Sequence, residues 1–274
     1  MQASSTWSPP TGTLGTIVGE AHERARALAG RTQELERRAA NVRDVPSLGE
    51  ALRARPTVGV IAEVKRRSPS KGWIQPNLDA SAQARAYELA GASAVSVLTE
   101  PRHFAGSPED LLAVRSTVGL PVLKKDFHVE PVQLLEARAL GASAVLLIAR
   151  ALGPETLGQL LKASEAYGLE ALVEIRDERE LEWALQHDAE IIGINNRNLE
   201  TLAIDTSTSE RLLKSIPERL VAIAESGVQE RSDVERVARA GANAVLVGSS
   251  LSGAANVTEA LGALTGVRRS TRAR

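Results

Sequence analysis

The segment from Val58 to Gly72 reads VGVIAEVKRRSPSKG, and its pattern changes half-way along from that of a strand to that of a loop. The first half alternates like a β-strand, in which residues two apart share a face. Ile61, Glu63 and Lys65 therefore lie on one face, which becomes charged at the carboxyl end of the strand. The turn-forming residues that follow predict a loop. Because buried charges cost desolvation energy unless they meet a partner or a ligand, this strand end is either a structural ion pair or part of an active site.

A short motif recurs along the chain and extends this pattern. It reads AGASAVSVL from Ala90, LGASAVLLI from Leu140 and AGANAVLVG from Ala240, with a degenerate copy from His187. Each copy has the pattern of a helix end followed by a buried strand, with a Gly-Ala turn where the copy keeps it. Four more strand candidates lie between the copies, at residues 58–64, 121–124, 170–175 and 220–224.

Eight strands spaced roughly 25 residues apart, each followed by a helical pattern, predict an α/β fold, a single (β/α)8 TIM barrel with an extra N-terminal helical segment. An open doubly wound sheet is the alternative, but eight evenly spaced units favour a closed barrel. No G-x-G-x-x-G sequence follows a strand, which argues against a dinucleotide-binding fold.

The predicted organisation is one domain over residues 1–274. It comprises a flexible start at 1–12, a helical extension at 14–53, the barrel at 58–264 and a basic tail at 265–274. Apolar residues of the extension, among them Leu14, Ile17 and Ala21, follow helical spacing. We interpret this helix as an amphipathic cover whose polar face meets solvent. A lid over the mouth of the barrel is the alternative.

Composition excludes several classes of protein. Hydrophobic content of 43% and charged content of 24% are typical of a soluble globular protein. The 33 basic and 34 acidic residues balance, so neither nucleic acid nor an anionic membrane is an expected partner. The absence of cysteine excludes disulfides and cysteine-ligated metals, and the histidines form no evident metal site. No run has the length of a signal peptide core or membrane span, so we predict a cytoplasmic protein without cofactor, metal or obligate protein partner.

Polar residues collect at the carboxyl ends of the strands, where a barrel of this kind builds its site. Strand parity selects those that point inward: Glu63, Glu174, Glu225, Lys65, Lys125, Asn195 and Arg197. Lys125 shares its face with the core residue Leu123, whereas Lys124 has the opposite parity. A single ion pair at a strand end is ordinarily structural, but a ring of charges confined to one end of the barrel favours a catalytic interpretation.

The last two strands end in Ser226-Gly227 and Gly248-Ser249. Glycine lets a ligand approach backbone N–H groups, and phosphate bound after these two strands is a recurrent feature of such barrels. We therefore predict a phosphate site at Ser226, Gly227, Gly248 and Ser249.

Apolar side chains near the same mouth indicate space for a planar ring. Phe104, Phe127, Leu146 and Ile148 lie there, although aromatic residues make up only 3% of the chain. The substrate predicted from these patterns is a phosphorylated small molecule.

The motifs at the strand ends, taken in order, resemble those of indole-3-glycerol phosphate synthase, from about residue 14 to 264. They are Glu63-Val-Lys65-Arg-Arg-Ser68-Pro-Ser-Lys-Gly, Leu98-Thr-Glu, Phe104-Ala-Gly-Ser, Leu123-Lys-Lys125-Asp-Phe, Leu172-Val-Glu174-Ile, Gly193-Ile-Asn195-Asn-Arg197-Asn-Leu-Glu, Ala224-Glu225-Ser226-Gly227 and Val247-Gly248-Ser249-Ser250-Leu. The resemblance implies closure of 1-(2-carboxyphenylamino)-1-deoxyribulose 5-phosphate to indole-3-glycerol phosphate, with loss of carbon dioxide and water.

The resemblance also implies residue roles. Lys125 would be the general acid for ring closure and Glu174 its acid/base partner. Lys65 would bind the substrate carboxylate and share in dehydration with Glu63, and Asn195 would orient the substrate. The implied substrate contacts are Ser68, Ser96, Phe104, Phe127, Leu146, Arg197, Glu225 and Ser226. How acid and base work divides between the Lys125/Glu174 and Lys65/Glu63 pairs is left open by the sequence.

Two other functions remain compatible with parts of the pattern. A phosphate-binding sugar-phosphate isomerase would share the glycines after the last two strands. A barrel that only binds a phosphorylated metabolite would not need the acid/base residues, yet Glu63, Lys65, Lys125 and Glu174 are all present. Neither alternative explains the whole inward charge pattern.

Overall fold

A computed structural model describes residues 7–272 of the chain and confirms the predicted barrel. Its eight parallel strands, numbered in chain order, are β1 Gly59–Val64, β2 Ala94–Leu98, β3 Val122–Lys125, β4 Ala144–Ile148, β5 Glu170–Ile175, β6 Ile191–Asn195, β7 Val221–Glu225 and β8 Ala244–Val247. Each strand pairs with the next, and the ring closes because β1 pairs with β2 through Ile61 and Ala94 and with β8 through Gly59 and Ala244. The strands are buried on both faces, as expected of a parallel barrel inside a helical shell.

Helices surround the barrel. Their bounds are α1 Gly12–Ala29, α2 Thr32–Ala40, α3 Leu48–Arg53, α4 Ala80–Leu89, α5 Pro101–Phe104, α6 Pro108–Thr117, α7 Pro131–Ala139, α8 Ala149–Ala166, α9 Glu178–Gln186, α10 Ser207–Leu213, α11 Arg231–Arg239, α12 Ser249–Ser252 and α13 Val257–Leu264. Side chains of Asp79, Ser107 and Asp177 accept backbone hydrogen bonds at the starts of α4, α6 and α9. Short oxygen-bearing side chains suit these positions, because they satisfy the free N–H groups of a first turn.

Two local features differ from the sequence pattern. The loop after β1 contains a small antiparallel hairpin, in which residues 67–68 pair with 72–73. Helix α8 is interrupted at Gly153, which has φ 69° and ψ 172°, so the chain bends there and a second helical segment follows. Glycine tolerates this left-handed backbone.

Both ends of the described chain contact the barrel. The Trp7 indole N–H donates to the Arg150 carbonyl oxygen at 3.2 Å, at the start of α8. Near the other end, the buried Arg272 guanidinium donates to the carbonyl oxygens of Gly241 and Leu220 and to the Asn243 side chain. Residues 1–6, predicted to be flexible, and residues 273–274 of the basic tail lie outside the described part. Among the described helices, none combines the length and the apolar character needed to cross a membrane.

Candidate active site

A cavity of about 350 Å³ opens at the carboxyl ends of the strands. Its wall includes nearly every residue selected from the sequence: Glu63, Lys65, Ser68, Phe104, Lys125, Phe127, Leu146, Glu174, Asn195, Arg197, Glu225, Ser226, Gly227, Gly248 and Ser249. Ser96 is the exception. It is fully buried beside Glu63 and Leu123, one layer below Leu98, which does reach the cavity. The structure therefore does not bring Ser96 to the cavity wall.

Lys125, at the end of β3, lies among three carboxylates from three other strands. Its Nζ is 3.4 Å from Glu225 Oε2, 3.7 Å from Glu63 Oε2 and 3.9 Å from Glu174 Oε2. All four side chains are largely buried, with 14% of the Lys125 side chain exposed and 4% or less of each glutamate. The predicted parity is thus confirmed for this strand, since Lys125 enters the barrel while Lys124 points outward and pairs with Glu136 of α7 at 2.8 Å.

A second lysine, Lys65, directly follows β1 and belongs to the same cluster. Lys65 Nζ donates to Glu63 Oε1 at 2.6 Å. The backbone of Glu63 is held in turn, because the hydroxyls of Tyr87 and Ser252 both donate to its carbonyl oxygen, at 3.0 and 2.7 Å. Glu63 therefore connects the two lysines that the sequence singled out.

Electrostatics in this cluster oppose the full ionisation of its carboxyls. Burial raises the pKa of Glu225 to about 8, and Glu174 and Glu63 add to this although Lys125 opposes it. Burial also tends to raise the pKa of Glu63, but Lys65 and Lys125 outweigh it and hold that pKa below its ordinary value. For Lys125, burial favours the neutral amine, yet the three carboxylates prevail and raise its pKa. Near neutral pH Lys125 is therefore an ammonium, Glu63 is a carboxylate and Glu225 keeps its proton.

Two glycines provide the space that these carboxylates occupy. A Cβ atom on Gly193 would lie 2.1 Å from Glu225 Oε1, and one on Gly248 would lie 2.3 Å from Glu63 Oε1 and 2.6 Å from Lys65 Nζ. Any side chain at either position would displace a charged group of the cluster. The sequence pointed to Gly248 only as a phosphate-site glycine and to Gly193 only as part of a family motif.

The corner between β7 and β8 is the place where the sequence predicts a phosphate site. Ser226 and Gly227 have φ values of 62° and 89°, and Gly248 precedes the short helix α12. Asn196, a buried residue that sequence reasoning missed, donates to the Ser226 carbonyl oxygen at 2.9 Å and so holds this turn. The first N–H groups of a helix lack partners within the helix and suit an anionic ligand.

The opposite wall is apolar. Phe104 and Phe127 face one another with ring centroids 6.2 Å apart, and Leu146 and Ile148 lie beside them. Leu14 and Ile17 of α1 complete this wall. Helix α1 is amphipathic, as our interpretation had it, and its buried residues include Ala21 and Ala25. Its first turns also lie at the mouth of the barrel, as the alternative had it, because Leu14 and Ile17 line the cavity.

Comparisons with known proteins agree with this geometry. The family model described as indole-3-glycerol phosphate synthase matches residues 14–264. The chain belongs to this family. A protein of that name from Kineococcus radiotolerans is 54% identical over 71% of each chain, and one from Parafrankia sp. is 50% identical over 82% of each chain. A thiamine phosphate pyrophosphorylase from Pyrococcus furiosus, at 16% identity and a TM-score of 0.56 over 76% of this chain and 93% of its own, shares only the fold.

Asn195 ends β6 in this family member, Arg197 follows it, and the two residues interact locally. The Asn195 side-chain oxygen accepts from the Arg197 backbone N–H at 2.9 Å, and the Arg197 guanidinium donates to the Leu202 carbonyl oxygen. Burial lowers the pKa of Arg197. Both side chains line the cavity, so each is placed to meet a ligand.

A histidine contacts α1 beside the cavity. His103 lies in α5, and its Nε2 is 2.9 Å from Glu20 Oε2 of α1. Glu20, Glu100 and His103 bring ligand-type atoms within 4.8 Å of one another. Arg102 is 3.1 Å from Glu20 and Arg24 is 3.5 Å from Glu100, so both carboxylates already have cationic partners. The group ties α1 to the mouth of the barrel.

Proposed function

We propose that this chain is an enzyme of tryptophan biosynthesis, a carbon–carbon lyase that converts 1-(2-carboxyphenylamino)-1-deoxyribulose 5-phosphate to indole-3-glycerol phosphate, carbon dioxide and water. One observation carries the proposal. Lys125 lies among three carboxylates, with a second lysine attached to one of them, between an apolar wall and an anion-binding corner. This arrangement matches a substrate with an aryl ring, a carboxylate, a carbonyl and a phosphate.

The ends of the cavity orient the substrate. The phosphate binds at Ser226, Gly227, Gly248 and Ser249, where backbone N–H groups meet it. The aryl ring lies between Phe104, Phe127 and the aliphatic residues of the apolar wall. Anchored at both ends, the substrate places its reacting carbons in the centre, beside the lysines, and this positioning lowers the entropic part of the barrier.

Ring closure forms a bond between the ring carbon that carries the carboxylate and the carbonyl carbon. The carbonyl oxygen gains negative charge as this bond forms, and Lys125 donates a proton to it. The surrounding carboxylates raise the pKa of Lys125, which keeps it protonated but makes it a weaker acid. The protonated Glu225 carboxyl, 3.4 Å away, can return a proton to the amine after transfer.

Decarboxylation follows from the same intermediate. Lys65 neutralises the substrate carboxylate during binding, and the bond to carbon dioxide breaks as its electron pair restores the aromatic ring. Dehydration then removes the hydroxyl group from the former carbonyl carbon, which requires an acid at the oxygen and a base for the leaving proton. The Lys125/Glu174 and Lys65/Glu63 pairs both reach this position, because Glu63 contacts both lysines.

The decisive experiment is an assay of the purified full-length chain with this substrate. We expect an increase in indole fluorescence and stoichiometric release of carbon dioxide. Substrate consumed without carbon dioxide would instead indicate an isomerase, and unchanged substrate that still binds would indicate a metabolite-binding barrel. A cytoplasmic location and the lack of a cofactor or obligate protein partner stay predictions.

The phosphate corner has its own test. A crystal soaked in inorganic phosphate should show an anion held by backbone N–H groups of Ser226, Gly227, Gly248 or Ser249. An anion bound elsewhere, with this corner empty, would contradict the assignment. Lys65→Ala provides a test of the carboxylate contact, since it should weaken substrate binding and also slow turnover. Unchanged values for both would show that Lys65 only pairs with Glu63.

A further inference from the structure

The apolar wall of the cavity contains both phenylalanines of the chain. Phe104 ends the short helix α5, and Phe127 follows β3 two residues after Lys125. Neither ring lies on a barrel strand, so the strands alone do not fix their positions. Their spacing of 6.2 Å depends on the loops that carry them.

A buried carboxylate holds the backbone of each phenylalanine. The Glu100 side chain accepts hydrogen bonds from the backbone N–H groups of His103, at 2.6 Å, and Phe104, at 3.1 Å. The Asp126 side chain accepts from the Phe127 N–H at 2.8 Å. Glu100 is completely buried and Asp126 is 6% exposed, so both negative charges need counter-charges within the protein.

Arg24 of α1 reaches both carboxylates. Its Nη2 is 2.8 Å from Asp126 Oδ1, and its Nη1 is 3.5 Å from Glu100 Oε1. Asp126 also accepts from the Thr99 hydroxyl at 2.7 Å and lies 3.8 Å from Lys124 Nζ. Burial would raise the pKa of Asp126, but Lys124 and Arg24 outweigh it and keep that pKa lowered. Among the contacts of the described residues, Arg24 is thus the cation shared by the two carboxylates.

We infer that Arg24 is a positioning residue for the aryl end of the substrate: it bridges Glu100 and Asp126, and through them sets the spacing of Phe104 and Phe127. The planar guanidinium suits this role because its Nη2 donates a hydrogen bond to Asp126 while its Nη1 lies 3.5 Å from Glu100, close enough for an ion pair but without a hydrogen bond. A lysine ammonium in the same place would reach one carboxylate well and the other poorly. The inference rests on the proposed function, since it assigns the aromatic pair to the aryl ring of that substrate.

The test compares Arg24→Gln with Arg26→Gln in the full-length chain. Arg26 is an exposed arginine on the same helix and is the matched control. If Arg24 sets the aryl site, Arg24→Gln should raise KM about tenfold with kcat changed less than about threefold, the pattern expected when substrate binding is weakened equally in ground and transition states. Arg26→Gln should leave both constants unchanged.

A binding measurement separates positioning from general loosening. The probes are 2-aminobenzoate, which represents the aryl half of the substrate, and inorganic phosphate, both followed by ligand-observed NMR. Arg24→Gln should weaken 2-aminobenzoate binding about tenfold, in line with KM, and leave phosphate binding within about twofold of wild type. Two outcomes would overturn the inference. One is equal weakening of the binding of both ligands, and the other is an unchanged KM together with unchanged 2-aminobenzoate binding.

Arg24→Lys keeps the positive charge, and it provides the test if Arg24→Gln fails to fold. It should show a smaller increase in KM, about threefold, with the same selectivity for the aryl ligand. A lysine variant with wild-type KM and wild-type 2-aminobenzoate binding would overturn the inference. A wild-type chain that binds 2-aminobenzoate but does not turn over the substrate would count against the proposed function alone, and one that binds neither would count against both.

Discussion

Lys124 and Lys125 are consecutive in sequence but lie in two different regions of the molecule. Lys124 is buried in the seam between the barrel and α7, where its Nζ meets Glu136 at 2.8 Å. Lys125 points into the barrel, where three carboxylates surround it at 3.4 to 3.9 Å. A strand directs successive side chains to opposite faces, so one residue step separates a structural ion pair from the proposed catalytic group.

The two regions also differ in how completely their polar atoms are satisfied. In the seam, the Lys124–Glu136 contact is a hydrogen bond of ordinary length. In the mouth, both side-chain oxygens of Glu225 and Oε2 of Glu63 are buried without a hydrogen-bond partner among the described residues. Buried polar atoms without hydrogen bonds are costly, and a catalytic role is one reason for a native protein to keep them. In the mouth the two Oε2 atoms have only the longer ion-pair contacts with Lys125, whereas Lys124 in the seam is hydrogen-bonded.

The largest expected effect comes from changing Lys125. A guanidinium stabilises negative charge but is a very poor acid, so Lys125→Arg separates charge from proton donation. We expect Lys125→Arg and Lys125→Met each to lower kcat at least about a hundredfold, the scale of a positioned general acid. Lys124→Met is the control and should keep near wild-type kcat per folded molecule. Substantial activity in Lys125→Arg would mean that the residue supplies charge alone and that the acid is Lys65 or Glu63.

A smaller loss of kcat should follow when a methyl group is added at Gly193, next to the Glu225 carboxyl. The Cβ of Gly193→Ala would lie 2.1 Å from Glu225 Oε1, so that carboxyl must move. A displacement of about 1 Å near the reacting groups can cost up to about a hundredfold, and we expect a loss of kcat of between tenfold and a hundredfold. Gly262→Ala on α13, where a Cβ meets nothing within 4 Å, is the matched control. Equal kcat values for the two alanine variants would show that Glu225 tolerates displacement.

A substitution in the seam should change the stability of the protein rather than its activity. Lys124→Met leaves Glu136 and Asp126 without one of their cationic partners in a largely buried place. We expect the free energy of unfolding to fall by about 2 kcal/mol, because a buried charge that loses its partner keeps its desolvation cost. Chemical denaturation measures this change. A variant as stable as wild type would indicate that Glu136 rotates into solvent at little cost.

The last prediction concerns how the free energy of unfolding depends on pH. The pKa of Glu225 is raised from 4.5 to about 8, so between these values the folded chain keeps a proton that the unfolded chain releases. The free energy of unfolding therefore decreases as pH rises through this range, and the contribution stops changing above it. Glu225→Gln has no proton to lose, so its unfolding free energy should vary less across the same range. Parallel pH profiles for the two proteins would rule out a raised pKa at Glu225.

The sequence predicted most of the barrel because its signals are local. The repeat, the alternation within each strand and the caps at Asp79, Ser107 and Asp177 all operate over a few neighbouring residues. Strand parity also separated Lys125 from Lys124 correctly. Strand parity did not place Ser96 correctly. Parity tells which face of a strand a side chain lies on, but not how far along the barrel axis it lies, and Ser96 lies one layer below the cavity.

Residues that act through contacts between distant segments gave no comparable signal. Asn196 looked like a loop residue, yet its side chain holds the turn at Ser226. Arg24 looked like one charge on the solvent face of a helix, yet it bridges Glu100 and Asp126. Such roles depend on which segments meet after folding, and a single sequence contains no pattern for that.

By itself the sequence determined the closed barrel, the end of the barrel that carries the charges and the family of the enzyme. These follow from short-range periodicity and from motifs whose residues adjoin one another in the chain. Only the tertiary structure decided that α1 supplies part of the cavity wall, that Gly193 and Gly248 leave room for carboxylates, and that three glutamates surround one lysine. Distances of this kind arise from the stagger of strands around a closed ring and from desolvation in its interior, which no local segment encodes.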